Sequence, residues 1–229
     1  MIPKLDIPNG LSREEAERLQ ARLAARVIAE DRFGRIDIVA GVDVAYEKQG
    51  SRATAAIAIL RTSDLSVMET RTLDSAVRFP YIPGLLSFRE LPAICGLLQE
   101  ITIIPDLLIC DGQGIAHPRR FGLACHLGVM FDMPTIGCAK TLLLGSGREP
   151  GMGRGNSEPL LDKGETVGCA LRTRTKIKPV YVSPGHRISV PTACEWVLKL
   201  ASRFRLPEPL RFADQAARRA LARSARPDK

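Results

Sequence analysis

Histidine is scarce in this sequence, three among 229 residues, and the six cysteines include no CxxC pair and no closely spaced couple. The nitrogen and sulfur ligand sets that hold zinc are therefore missing, and so is a framework of short disulfide-closed loops. The cysteines (Cys95, Cys110, Cys125, Cys138, Cys169, Cys194) sit singly in apolar segments, which predicts reduced core thiols in a cytoplasmic protein. No apolar run approaches the roughly 20 residues that span a bilayer. The first thirty residues carry Lys4, Asp6, Arg13, Glu14 and Glu15, so neither a signal peptide nor a membrane anchor is expected. Low-hydrophobicity, Gly-rich sequence is confined to 145–155 (GSGREPGMGRG); the segments beside it continue one alternating pattern. That stretch reads as a long surface loop within one domain covering 1–229. What is present suits such a domain: 45% hydrophobic and 25% charged residues supply a substantial core, and a net charge of +8 favours polyanionic partners, nucleic acid first.

Ser12 followed by Glu15 is a capping box, and the Ala-, Leu- and Glu-rich run after it predicts an amphipathic helix to about Asp31. Residues 36–45 (IDIVAGVDVA), 54–60 (TAAIAIL) and 67–77 then read as strands with short connections, an antiparallel meander. A helix at 87–100, a strand at 107–111 (LLICD), a helix at 119–131 and a strand at 135–139 follow, the alternation that builds parallel strands. Three antiparallel strands followed by αβαβ is the element order of the ribonuclease H-like fold, an α/β architecture with a mixed sheet flanked by helices. Strands at 167–172 and 180–182 and helices at 192–204 and 214–225 complete the chain.

Asp43 lies inside the apolar string VAGVDVAY, where a charge costs several kcal/mol unless it is paired or bound to a cation. Asp111 closes LLICD just before Gly112, which puts its carboxylate at the carboxyl edge of the sheet, where open α/β sheets bind ligands. Strand one beside strand four brings the two together. Asp37 is the internal control: it lies six residues from Asp43, roughly 20 Å along a strand, and belongs outside the site. Hard oxygen ligands favour Mg²⁺, or Mn²⁺ in its place. Such an ion can coordinate a phosphate oxygen, activate water and neutralise the leaving 3′ oxygen. Glu90 is the candidate third carboxylate or general base, and Lys140, directly after TIGCA, the candidate for stabilising the transition state.

These residues stand in long ordered strings: GVDVAY, PYIPGLLSFRE (80–90), DGQGIAHPRRFGLACHLG (111–128), IGCAK, VGCALRT and PVYVSPGHRIS. Over most of its length the chain is similar to the endonuclease V family. The resemblance implies a ribonuclease H-like, Mg²⁺-dependent hydrolase of DNA repair. Such an enzyme recognises deaminated adenine and cleaves the second phosphodiester 3′ to inosine, leaving a 5′-phosphate. It implies Asp43 and Asp111 as metal ligands and Glu90 among the catalytic acids. Two departures stand out: Cys125 replaces a common serine, and Asp214, in RFADQAAR, occupies a position that some members fill with histidine.

The string Phe79, Pro80, Tyr81, Ile82, Pro83, Gly84 is stiffened by two prolines around one exposed-type ring. In the family it is a wedge, and inserting Tyr81 into the stack offsets part of the cost of base extrusion. Hypoxanthine offers an O6 acceptor and lacks the guanine 2-amino group. Backbone N–H groups at Gly84 to Leu86 can donate to O6, and walls near Gly112 can exclude the amino group. His117 is a candidate contact to the flipped nucleotide, His126 reads as structural, and His186 as a basic-loop residue. Arg119 and Arg120, placed at a helix start, suggest an anion in front of them. Arg218, Arg219, Arg223 and Arg226 offer non-specific phosphate contacts. The expected partner is inosine-containing DNA or RNA, bound by a monomer with no membrane contact. Two alternatives stay open: a ribonuclease H-like nuclease for branched or mismatched nucleic acid, and a non-catalytic nucleic-acid-binding module.

Overall fold

The capping box forms as the sequence predicts. In a computed structural model, which describes residues 1–6, 10–48 and 50–224, Ser12 Oγ accepts from the Glu15 N–H and Glu15 returns a bond to the Ser12 N–H. The helix that follows, α1 (Arg13–Ala24), ends seven residues before the expected Asp31. Bonds to distant segments override helix propensity there: the Ile28 N–H donates to His186 Nδ1, and Asp31 accepts from the Ser189 N–H and from Thr192 Oγ1.

The meander is β1 (Ile38–Tyr46), β2 (Arg52–Arg61) and β3 (Val67–Ala76), followed by α2 (Leu86–Glu100), β4 (Leu107–Cys110), α3 (Leu123–Phe131) and β5 (Thr135–Ala139). Then come β6 (Ser157–Asp162), β7 (Glu165–Leu171), β8 (Val180–His186), α4 (Val190–Leu200) and α5 (Glu208–Ser224). All eight strands join one sheet in the order β3-β2-β1-β4-β5-β8-β7-β6. β4 pairs in parallel with β1 and β5, and the other pairings are antiparallel. β4 is buried along its whole length, as its unbroken apolar run requires. The two faces of β1 part by alternation. Ala40 and Val42 join a core with Leu91, Ile94 and Leu98 of α2 and Leu127 of α3. Val39 joins the opposite core with Ile109, Ile136, Val197 of α4 and Leu210 of α5. Helix α1 packs outside α3, where Leu23 meets Cys125 and Val129. No helix among the described residues is long and apolar enough to cross a membrane.

Several expectations are corrected. Helix α3 begins at Leu123 rather than 119, because Arg120 takes a left-handed conformation (φ 53°) and the Gly122 N–H turns back to Gly114 O. β6 was not expected, since its SEPLLD string mixes acids with proline; a turn at Lys163 and Gly164, both at positive φ, pairs it with β7. β8 continues through Pro184 to His186, so this histidine ends a strand instead of sitting in a loop. Helix α4 stops at Leu200, and α5 starts six residues early, at Glu208. Residue 225 and Arg226 lie outside the described residues. Four cysteines are free and buried, but Cys169 and Cys194 form a disulfide, brought together by the packing of α4 on β7 across 25 residues of sequence. Between β5 and β6 the chain forms only an isolated bridge from Ser146 to Leu161, the surface loop foreseen for 145–155.

One contact governs where α5 lies. A Cβ on Gly41 of β1 would stand 2.3 Å from Pro209 C and 2.5 Å from Leu210 N, so only glycine lets the backbone of α5 rest on the strand. Gly41→Ala is expected to lose about 1–3 kcal/mol, since the clash is with backbone that cannot rotate away. Urea unfolding measures this, and an unchanged midpoint would mean that α5 is not seated there.

Candidate active site

Strand alternation gathers the polar residues on one face. Val39, Gly41 and Asp43 point the same way along β1, and Leu107 and Ile109 continue to Asp111 past β4. Ile136 and Cys138 of β5 continue in the same phase to Lys140. The parallel register pairs Val42 with Cys110, and the Asp111 N–H reaches Val42 O at 3.2 Å, so Asp43 and Asp111 are next in line on adjacent strands. Their carboxyl groups are close enough for the charge of Asp111 to act on Asp43. Lys140 Nζ donates to Asp111 Oδ2 and stands 4.0 Å from Asp214 Oδ1. Asp214 arrives from α5, about one helical turn beyond the backbone contact at Gly41, and Arg218 Nε donates to the same Oδ1 at 2.9 Å.

Glu90 comes from the other face. It lies on α2, 6% exposed, and accepts from the Tyr46 hydroxyl at 3.0 Å. The Arg89 guanidinium lies 4.7 Å over the Tyr46 ring, fixing the phenol at the end of β1. Asp37, the control, is at the opposite end of β1 with Arg35 Nε on its carboxylate at 2.8 Å.

Burial pushes the Asp43 carboxyl well above the usual carboxylate range, and repulsion from Asp111 and Asp214 adds to it while Lys140 opposes. Burial raises Glu90 to about 8, against the Tyr46 hydrogen bond and with help from Asp43 and Asp111. Burial also disfavours the Lys140 ammonium, but the bond to Asp111 and the charges of Asp43 and Asp214 outweigh it and hold its pKa up. Three acids, Asp43, Asp111 and Asp214, thus face one lysine at the sheet edge, and Glu90 adds its charge from the other face. Among the described residues, no three His, Cys, Asp or Glu side chains converge as a closed metal cage. The donor set nonetheless fits a hard divalent cation: Asp43 and Asp111 supply two adjoining carboxylates whose mutual repulsion a cation would relieve, with water and phosphate oxygens completing the shell.

Beside the acids opens a cavity of about 410 Å³, lined by Tyr81, Pro83, Gly84, Leu86, Gly112 and His117, with Asp111 and Lys140 at its margin. Three residues of the proline string, Phe79, Pro80 and Ile82, stand off it. Pro80 faces a separate groove with Arg78 and Phe88, and Ile82 packs on Ala16, Leu85 and Phe88. Tyr81 is 70% exposed. Residues 82–85 form a type II turn, with Pro83 second, Gly84 third at φ +80°, and the Leu85 N–H closing onto Ile82 O at 2.9 Å. The Leu85 N–H is therefore spent inside the turn, while Gly84 and Leu86 line the cavity. Leu123 side-chain atoms sit 3.5 Å from where a Gly112 Cβ would be, an ordinary contact.

His117 is 3% exposed and uses both ring nitrogens inside the protein: Nδ1 accepts from the Arg119 N–H, so Nε2 carries the proton to Gly84 O. It offers a nucleotide its ring edge rather than a free nitrogen. Burial lowers its pKa to about 4, so it is neutral at physiological pH. His126 is buried, with Nδ1 3.2 Å from Ser87 Oγ. The anion expected in front of Arg119 and Arg120 gives way to protein partners. Arg119 holds Gly84 O and Gln20, and Arg120 pairs with Asp162 and Glu165. Arg219 and Arg223 remain exposed on α5. Sequence reasoning missed Tyr46, although it closes the GVDVAY string, and Gln20, whose burial nothing in the Ala-rich α1 pattern announces.

The family model for endonuclease V matches residues 21–215. The endonuclease V of Rippkaea orientalis is 51% identical over 206 residues, covering 90% of each chain. The crystal structure of endonuclease V from Streptomyces avermitilis superposes with a TM-score of 0.90 at 44% identity, over 96% of this chain and 98% of that one. The Ciona intestinalis endonuclease V, solved with a 24mer DNA containing an inosine followed by a ribo-adenosine, gives 0.83 at 28% identity, over 92% and 98%.

Proton linkage gives a test of the site. Asp43 and Glu90 bind protons more tightly folded than unfolded, so their own contribution to stability is full below about pH 4 and is lost as pH rises through about 8. In chelator, the melting temperature of the parent is expected to fall relative to that of Asp43→Asn between pH 5 and pH 8, a comparison in which the opposite contribution of the buried, neutral His117 cancels. Asp43→Asn is expected to raise it at pH 8 by about 3 °C or more, the equivalent of about 1 kcal/mol for a chain of this size. An advantage of Asp43→Asn over the parent that does not grow between pH 5 and pH 8 would contradict the assigned burial of charge.

Proposed function

The chain belongs to the endonuclease V family, with its ribonuclease H-like fold, and on that premise we propose that it hydrolyses the second phosphodiester 3′ to inosine in DNA. The observation that carries this reading is adjacency. A nucleotide-sized cavity, walled by the turn that follows Tyr81, opens directly onto Asp111 and Lys140. The inosine-containing DNA bound by the Ciona relative supports the same substrate here.

In this reading Tyr81 enters the stack as a base leaves it, and the extruded hypoxanthine lies in the cavity with O6 toward the Gly84 and Leu86 N–H groups. Guanine is refused because its 2-amino group would be buried without an acceptor near Gly112. Asp43 and Asp111 would hold the divalent cation, Mg²⁺ or Mn²⁺, with Asp214 the nearest further carboxylate. That ion supplies charge neutralisation at the phosphate and at the departing oxygen. Glu90, set by Tyr46, takes the proton of the attacking water. The water oxygen bonds to phosphorus as the bond to the 3′ oxygen breaks, leaving a 3′-hydroxyl and a 5′-phosphate. The Lys140 ammonium, steadied by Asp111, faces the negative charge that builds on the phosphoryl oxygens. One polypeptide provides every group, so we take the working unit to be a single-domain monomer.

Sizing the products of matched DNA and RNA strands that carry one inosine, with Mg²⁺ and with chelator, tests the proposal. The expected product is cut one nucleotide beyond the inosine's own 3′ phosphate, with Mg²⁺ only. Cleavage at random positions, or equal cleavage of undamaged strands, contradicts it. Tyr81→Ala is expected to slow cutting of the duplex by about tenfold or more, since the wedge offsets part of an extrusion cost of a few kcal/mol. Unchanged rates would remove Tyr81 from the extrusion step.

A further inference from the structure

Gln20 is fully buried on a helix whose other polar residues face solvent, and it spends its whole amide on the lesion side of the molecule. Its Nε2 donates to Gly84 O at 3.1 Å and to Phe121 O at 3.0 Å, while Oε1 accepts from Arg119 Nε at 2.6 Å. The Arg119 Nη2 also reaches Gly84 O at 2.9 Å, and His117 Nε2 reaches the same oxygen at 2.9 Å. One carbonyl therefore receives three donors, one of them cationic. Glu17, one turn earlier on α1, stands 3.7 Å from Arg119 Nη1 and keeps the guanidinium in place.

That carbonyl belongs to the type II turn immediately after Tyr81. The turn itself is closed by a single backbone bond, Leu85 N–H to Ile82 O. A wedge must be stiffer than the stack it opens, because the few kcal/mol needed to extrude a paired base act back on whatever holds the wedge. A turn held by one bond would yield; a turn fastened through Gly84 O to a helix and to the 117–119 loop would not. The family match begins at residue 21, so this fastening reaches into a helix that lies mostly outside the matched span.

We propose that Gln20 and Arg119 are positioning residues that clamp the 82–85 turn to α1, so that Tyr81 keeps its place while a base is driven out of a duplex. The inference rests on the reading of this turn as the lesion-reading element. It differs from a general structural role in one respect: the clamp matters when a stack has to be opened and matters little when the inosine is already unstacked.

The test is single-turnover cleavage with Mg²⁺ of one inosine-containing strand, presented as a duplex and alone, by the parent, Gln20→Glu and Arg119→Lys. Gln20→Glu keeps the shape and the contact to Arg119 but turns an oxygen toward Gly84 O and Phe121 O in place of two N–H donors. The expected loss is about tenfold on the duplex, the order produced by removing hydrogen bonds worth about 1 kcal/mol each, and less than about twofold on the single strand. Arg119→Lys, which loses the fork but keeps the charge, is expected to show the same asymmetry at about threefold. Should Gln20→Glu fail to fold, Arg119→Lys decides. Equal losses on duplex and single strand, or no loss in either variant, overturn the clamp. A parent that cuts inosine and guanosine strands equally would instead overturn the reading of the turn, and the clamp with it.

Discussion

The constraint on which the structure turns is the parallel register of β1 and β4, which seats two carboxylates side by side at a half-buried sheet edge. Like charges at that separation repel strongly in a low-dielectric setting. The surroundings are built to bear it. Lys140 arrives in phase from the neighbouring strand, and Gly41 lets α5 approach closely enough to bring Asp214 to the same place. What remains is an excess of negative charge that protons relieve in the bare protein and that a hard cation relieves better.

Helix α2 ties recognition to chemistry. Its first residue, Leu86, follows the turn that walls the cavity, and Glu90 lies one helical turn further on. A helix is rigid over that span, so the distance from the base-holding turn to Glu90 is fixed by 1.5 Å of rise per residue and not by a flexible loop. Tyr46, at the end of the strand that carries Asp43, then locks Glu90 to the sheet. The two faces of the sheet thus contribute different groups to one edge: Asp43, Asp111, Lys140 and Asp214 from one, Glu90 from the other.

The strands that form the centre of the sheet were legible because apolar, β-branched runs admit few other outcomes, and Asp43 and Asp111 stood out as charges within or ending such runs. The ends of helices were not legible. Helix α1 stops where it does because His186 and Ser189, over 150 residues away, offer partners to Ile28 and Asp31, and no local propensity encodes that. Asp214 stood out only as a departure from the histidine that some family members carry, and the packing at Gly41 and its approach to Lys140 show where it lies. Arg119 and Arg120 carried the right charge for an anion site, yet a left-handed residue at 120 removed the helix end they were meant to flank. Gln20 was invisible for the converse reason: a buried amide is announced only by its partners. The Cys169–Cys194 bond follows from the docking of α4 on β7, a tertiary event with no trace in cysteine spacing.

The seat of α5 on Gly41 joins the last helix of the chain to its first strand, a contact spanning about 170 residues of sequence. Contacts of such separation form late, because the loop they close has the most entropy to lose. Asp214 therefore reaches Lys140 only once α5 has docked across that span, and the acidic edge depends on one of the most sequence-distant contacts in the fold.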